Sequence, residues 1–287
     1  MTPQDNFAQA KRVLLTVLLL NWLVSAIKIT VGYAINSVSM IADGFHSLFD
    51  GASNIIGLVG LTIAAKEQDE THPYGHKKFE TFTAVGISLL LFVTCFEVIE
   101  LAVRHWLAPK PIFVSPSSFV IMIGTMCVNY AIMRYENRKG VALGSDVLIA
   151  DSAHTRSDIY VSFSVILTLV LALLGYPRAD MIVAIGIALA IGRVGLSIMR
   201  HSSQVLCDAM VLDKSRIETI CAGIDGIEKC HKIRTRGRED DINIDLHIVV
   251  DKDMHVQDAH ALSHELQKRI KQQIPGVTDI QVHIEPF

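Results

Sequence analysis

Six stretches of the chain are apolar over about the 20 residues that a helix needs to cross a bilayer. They run Val13–Ala34, Val38–Ala65, Thr81–Trp106, Ile112–Tyr135, Gly144–Leu174 and Met181–Met199. The second and fifth carry ionisable residues within the apolar run, so hydropathy alone understates them. After about His201 the period changes. Asp213–Ile224 reads as a helix and Glu228–Arg234 as a strand, while Ile242, Ile244, Leu246, Ile248 and Val250 alternate with other residues as in a half-buried strand. Val256–Gln273 returns to helical spacing and stops at Pro275-Gly276; Ile280, Val282 and Ile284 then alternate again. The predicted fold is a membrane all-α domain of six transmembrane helices over residues 1–205, then a small α+β domain over 206–287. The order α-β-β-α-β suggests a ferredoxin- or metallochaperone-like sheet with helices on one face. So small a domain has little core, and dimerisation would help it.

Composition supports the membrane class. Of 287 residues 51% are hydrophobic and 19% charged, below the roughly 25% charged of soluble domains. The net charge of −3 argues against a nucleic-acid partner, which would usually leave a strongly basic stretch. Residues 1–200 hold 15 basic and 14 acidic side chains, whereas 201–287 hold 11 and 15, with seven of the twelve histidines. Lys11, Arg12, Lys66, Lys77, Lys78, Arg134, Arg138, Lys139 and Arg200 all fall on one side of the predicted spans, against Arg104, Lys110 and Arg178 on the other. By the positive-inside rule both termini are cytoplasmic, in a topology that suits a bacterial inner membrane. The five cysteines form no CxxC pair and read as reduced. No phosphate-binding Walker loop is present, so ATP is not expected as the energy source, and no nucleophile arrangement suggests an enzyme.

The chemistry sits in a repeated motif. Ala42-Asp43-Gly44-Phe45-His46-Ser47-Leu48-Phe49-Asp50 and Ala150-Asp151-Ser152-Ala153-His154-Thr155-Arg156-Ser157-Asp158 both read A-D-x-x-H-x-x-x-D, 108 residues apart. Positions i, i+3 and i+7 share one helix face, so each copy makes a polar stripe inside a predicted span. Ionisable groups at membrane depth cost about 2.5–3.5 kcal/mol each on insertion scales and face partners or cavities. Two imidazoles and two carboxylates, His46, Asp50, His154 and Asp158, make a four-coordinate site suited to zinc. The other readings are mutual pairing that holds the bundle together, or a proton relay without metal. Asp43 and Asp151, one turn earlier, either guide ions in from the cytoplasm or pair with Arg or Lys.

The paired motifs, six spans and His-rich tail resemble the cation diffusion facilitator family of divalent-metal/proton antiporters, over about residues 12–287. The resemblance implies that His46, Asp50, His154 and Asp158 form the transport site. It also implies a homodimer in the lipid bilayer that exchanges divalent ions, Zn²⁺ foremost, for protons. Members with two His and two Asp generally carry zinc, and often cadmium or cobalt; those favouring manganese usually lack these His. Borderline imidazole ligands point the same way, since all-oxygen sets favour harder ions. Ligands must shed protons to bind metal, and ordinary values near 6.5 for imidazole and 3.9 for Asp make the imidazoles the expected exchanging groups.

The loop after the second span reads Asp69-Glu70-Thr71-His72-Pro73-Tyr74-Gly75-His76. Its HPxGH pattern is a further mark of the family, and Asp69, His72 and His76 resemble a loop metal site of some members. The alternative is an amphipathic loop whose histidines meet solvent or lipid. In the tail, His247 lies opposite Ile244, Leu246 and Ile248, and His283 and Glu285 lie opposite Val282 and Ile284. Neighbouring strands would thus present them on one surface. The resemblance implies zinc bound near a dimer interface of the tail, at positions matching His231, His247, His260, His283 and Glu285. Glu285 stands where aspartate is common, which leaves the ligand set open. His201, His255 and His264 have no clear counterpart.

Overall fold

The computed structural model describes residues 3–34, 38–107, 116–173 and 179–287, with the side chains of 38–47, 49, 50 and several helix-end residues left out of the description. It divides into two compact units, Met1–Ser202 and Ser203–Phe287. Among the described residues, the first unit holds the helices α1 (Pro3–Ala34), α2 (Val38–Ala64), α3 (Lys78–Leu107), α4 (Pro116–Leu143), α5 (Asp146–Leu173) and α6 (Ala179–Leu206). Among the described residues, Asp5–Val31, Lys78–Arg104 and Met181–Leu206 are long and apolar enough by themselves to cross a membrane.

Polarity in this first unit is arranged inside out. On α1, Leu15, Leu19, Leu23 and Ile27 follow one another at four-residue spacing and are exposed, whereas Ser25 and Lys28 are buried. Ser53, Asn54, Glu136, Asp151, His154 and Thr155 are buried as well. Lipid tails solvate an apolar exterior as well as a core would, so helices meet through close packing and polar contacts instead. Leu14 and Val17 of α1, Leu61 of α2, Ile87 of α3 and Val147 and Leu148 of α5 share one apolar cluster. At Gly60 of α2, α3 comes so close that an added Cβ would lie 2.0 Å from Thr83 Oγ1. Two reciprocal contacts tie the start of α3 to the start of α5. Ser145 Oγ donates to Glu80 Oε1 at 2.5 Å, and Thr81 Oγ1 donates to Asp146 Oδ2 at 2.6 Å.

Helix α4 differs from the sequence-based expectation. The apolar run ends at Tyr135, yet the helix continues to Leu143 and stops at Gly144, whose φ is +63°. Arg138 and Lys139, beyond the end of the predicted span, therefore lie with Arg134 on its last turns. Loss of hydropathy ends a membrane span but does not end a helix; that takes a residue able to leave helical φ and ψ. α5 follows directly, capped by Ser145.

The second unit has the element order α7 (Lys214–Ala222), β1 (Lys229–Arg238), β2 (Asp241–Val250), α8 (Val256–Gln273) and β3 (Val277–Pro286). Asp213 caps α7 by accepting from Ser215 N at 3.1 Å, and His255 caps α8 by accepting from Gln257 N at 3.2 Å. Ala259, Ser263, Leu266 and Ile270 form the buried stripe of α8. The sheet order is β1-β2-β3, with β1 and β2 antiparallel and β2 and β3 parallel across the α8 connection. Ile217 and Ile220 of α7, Leu266 and Ile270 of α8 and Ile233, Ile244, Leu246, Ile248 and Ile280 of the strands make one core. With both helices on that face, the other face of the sheet carries the polar residues. A register shift between His231 and Arg234, with Lys232 at φ 49°, bends β1 there.

Candidate metal sites

In the helical unit, α5 turns its motif inward. His154 is buried, and its Nδ1 has no hydrogen-bond partner among the described residues. His154, Thr155 and Asp158 line a cavity together with Asn21 and Val24 of α1, Ser53 of α2 and Asn129 of α4. Ser157 Oγ donates to His154 O at 2.7 Å. An imidazole with an unpartnered Nδ1 and a carboxylate one turn later, both lining a polar cavity, make a donor set that suits a divalent cation. The side chains of His46, Asp50 and Asp43 lie outside the described residues, so only the backbone of α2 places that copy of the motif. Asp151 is not among the cavity-lining residues. Its carboxyl accepts from Asn54 Nδ2 and lies beside that of Glu136.

The loop between α2 and α3 folds its three predicted ligands together. Asp69 Oδ1 accepts from Thr71 N at 2.9 Å, Thr71 Oγ1 at 2.7 Å and His72 N at 2.7 Å, which closes a tight turn and leaves Oδ2 free of them. Oδ2 lies 3.4 Å from His76 Nε2, and Oδ1 lies 3.4 Å from His72 Nδ1. The two rings stand 4.3 Å apart. His76 Nδ1 lies 3.0 Å from Glu67 O. A carbonyl only accepts, so Nδ1 donates to it, and Nε2 is the ring atom that faces Asp69 and is placed to ligate a metal. Bonds from the Thr71 side chain, then from the His72 amide, hold the Asp69 carboxyl at about 2.

In the second unit, β-sheet register builds the third group. His231 pairs with His247 across β1 and β2, and His247 with His283 across β2 and β3, which puts three imidazoles in one row. Glu285 reaches back along that face. Its Oε2 lies 2.8 Å from His231 Nε2 and its Oε1 2.8 Å from His247 Nδ1, with Lys232 Nζ at 3.4 Å. The bonds from His247, and after it His231 and Lys232, hold the Glu285 carboxyl at about 2. A carboxylate accepts only, so both ring nitrogens donate in this metal-free arrangement, and binding a metal there would release those protons. The His247 and His283 rings are 4.5 Å apart. His260 faces outward from α8 beside His264, Nε2 to Nε2 at 3.1 Å. His255 serves as the α8 cap, and His201 lies 3.8 Å from Asp146.

Several site residues escaped the motif-based reading. Asn129 and Ser53 border the cavity as single uncharged polar residues in apolar helices, which local pattern does not separate from packing groups. Glu136, beside Asp151 and not on the cavity lining, follows the predicted end of the fourth span at Tyr135 and sits among Arg134, Arg138 and Lys139, where no local pattern marks it.

Comparison with known proteins agrees with the architecture. Residues 14–207 match the cation efflux transmembrane domain, and 212–287 the cytoplasmic domain of cation efflux proteins. The chain belongs to the cation diffusion facilitator family. It is 33% identical to an uncharacterized transporter of Methanocaldococcus jannaschii, over 92% of this chain and 94% of that one. Likewise, it is 27% identical to the manganese efflux system protein MneS of Bacillus subtilis (92% and 91%). It is 26% identical to the cation-efflux pump FieF of Klebsiella pneumoniae (91% and 87%).

Proposed function

We propose that the chain is a divalent-metal efflux transporter that moves Zn²⁺ out of the cytoplasm in exchange for protons, as a homodimer in a bacterial inner membrane with both termini inside. All six helices α1–α6 span the bilayer in this reading, and residues 206–287 form the metal-binding and dimerisation domain. The observation that carries it is the cavity on α5, into which His154 and Asp158 project beside Asn21, Ser53 and Asn129. The second copy of the same motif, on α2, supplies His46 and Asp50 to complete a four-ligand site. Two imidazoles favour a borderline ion over a hard one, which ranks zinc above the manganese in the name of the relative MneS. The uncharged oxygens of Asn21, Ser53 and Asn129 also suit manganese, so the two ions are compared directly.

The loop group Asp69, His72 and His76 and the sheet group His231, His247, His283 and Glu285 bind zinc as resident sites in this reading. His260 stands apart from the latter. Metal arrival at the transport site expels protons because the ligands must be deprotonated. Proteoliposomes with an imposed pH gradient test this. Zinc flux should follow the gradient, exceed manganese flux, and vanish in Asp158→Ala and Asp50→Ala. Gradient-independent flux would refute exchange, and faster manganese flux would overturn the zinc assignment. Zinc binding without any flux would point to a membrane metal sensor.

A further inference from the structure

Glu136 of α4 and Asp151 of α5 are fully buried carboxyls, 0% and 1% exposed, within hydrogen-bonding reach of each other. Each has one oxygen accounted for. Glu136 Oε2 accepts from Thr155 Oγ1 at 3.4 Å, and Asp151 Oδ2 accepts from Asn54 Nδ2. The remaining oxygens, Glu136 Oε1 and Asp151 Oδ1, have no donor among the described residues. Two adjacent carboxylates in a dry interior repel strongly, and each idle oxygen there is costly. One proton between them satisfies both oxygens and removes the repulsion. A divalent metal does not fit, because a zinc site takes four ligands and the nearest other group, Asn54, turns its amide nitrogen to the pair.

The pair is wired to the cavity from both ends. Asn21, a cavity-lining residue, donates to Asn54 Oδ1 at 3.2 Å, and Asn54 in turn donates to Asp151. On the other side, Thr155 lines the cavity and donates to Glu136. The charge acting on Glu136 is that of Asp151. Other ionisable groups on these helices include Lys11, Arg12 and Lys28 on α1, Asp43, His46 and Asp50 on α2, Glu80 on α3, Arg134, Arg138 and Lys139 on α4, and Asp146, His154, Arg156 and Asp158 on α5.

We propose that Glu136 and Asp151 form a dyad that holds one shared proton at neutral pH and releases it when a divalent cation enters the cavity one helical turn away. The inference rests on the transport reading above for the identity of the cavity's occupant. The proton passes from Glu136 to the Thr155 hydroxyl, which lines the cavity and in turn gives up its own proton to water there, and both groups become carboxylates that the cation's charge then stabilises. Imidazole ligands need not carry the whole exchange.

Infrared difference spectra of the full chain in lipid, metal-free against zinc-saturated at pH 7, test the dyad. The C=O stretch of a protonated carboxyl, which carboxylates lack, should be present without metal and lost with zinc. It should be missing from both states of Glu136→Gln, which keeps the acceptor for Thr155 and still binds zinc, and of Asp151→Asn. Absence of the band from the parent chain, its persistence under zinc, or its survival in Glu136→Gln would overturn the proposal. Flux measured on the same preparation separates the two ideas. Loss of the band with flux blind to the pH gradient refutes exchange and leaves the dyad; gradient-driven flux with an unchanged band refutes the dyad and leaves exchange.

Discussion

Replacing Gly60 by Ala puts a methyl group where α2 and α3 leave no room for it. The new Cβ would stand 2.0 Å from Thr83 Oγ1 and 2.6 Å from both Cβ and Cγ2 of Thr83. Turning the Thr83 side chain relieves two of these contacts and breaks its bond to Phe79 O at 2.7 Å. The contact with Thr83 Cβ survives any rotation, because that atom is fixed to the α3 backbone. Reaching an ordinary 3.4 Å separation from it takes a shift of about 0.8 Å between the helices. Such overpacking costs about 1–3 kcal/mol, or roughly 2–12 °C in melting temperature for a domain of this size. Thermal unfolding of the full chain in detergent measures it. A double-mutant cycle isolates the contact. Thr83→Ala, which keeps Cβ, should recover part of the loss, and Thr83→Gly, compared with its own single variant, should recover most. A Gly60→Ala protein that melts within about 1 °C of the parent, or a cycle without coupling, would refute the close approach.

Two further outcomes follow from the exposed groups. His76→Ala should lower the zinc bound at equilibrium by one ion per chain without removing gradient-driven flux, because the loop site lies outside the cavity; unchanged stoichiometry in equilibrium dialysis would refute a loop site. Glu285 is lowered from its ordinary 4.5 to about 2, so its contribution to the metal-free sheet is full above pH 4.5 and is lost as pH falls through 2. Unfolding of the sheet followed by its amide infrared band should steepen with acid over that window in the parent and flatten in Glu285→Gln; equal slopes would contradict the His231–Glu285–His247 contacts.

What local physics writes into the sequence is periodicity and punctuation. Val256–Gln273 is legible to the residue, because its apolar stripe and the Pro275-Gly276 stop act within a few residues of one another. The alternation of β2 and β3 likewise assigns His247, His283 and Glu285 to one face, since side chains on a strand switch sides at every residue. The repeated A-D-x-x-H-x-x-x-D motif announces its chemistry by placing charge where lipid forbids it, and it identifies the family without coordinates.

Tertiary structure decides what depends on neighbours distant in sequence. The bulge at Lys232, which lets β1 bring His231 to Glu285, arises only when β1 pairs with β2. Asp151 and Asp158 share a stripe on α5, yet one meets Glu136 and Asn54 and the other lines a cavity with Ser53 and Asn129, residues of the same two neighbouring helices. Glu136 shows the limit most clearly. Among basic neighbours at the end of an apolar run it reads as solvated, and only the continuation of α4 and its packing against α5 bury it opposite a second carboxyl. Periodicity encodes which face a residue occupies; what that face meets is a property of the assembled fold.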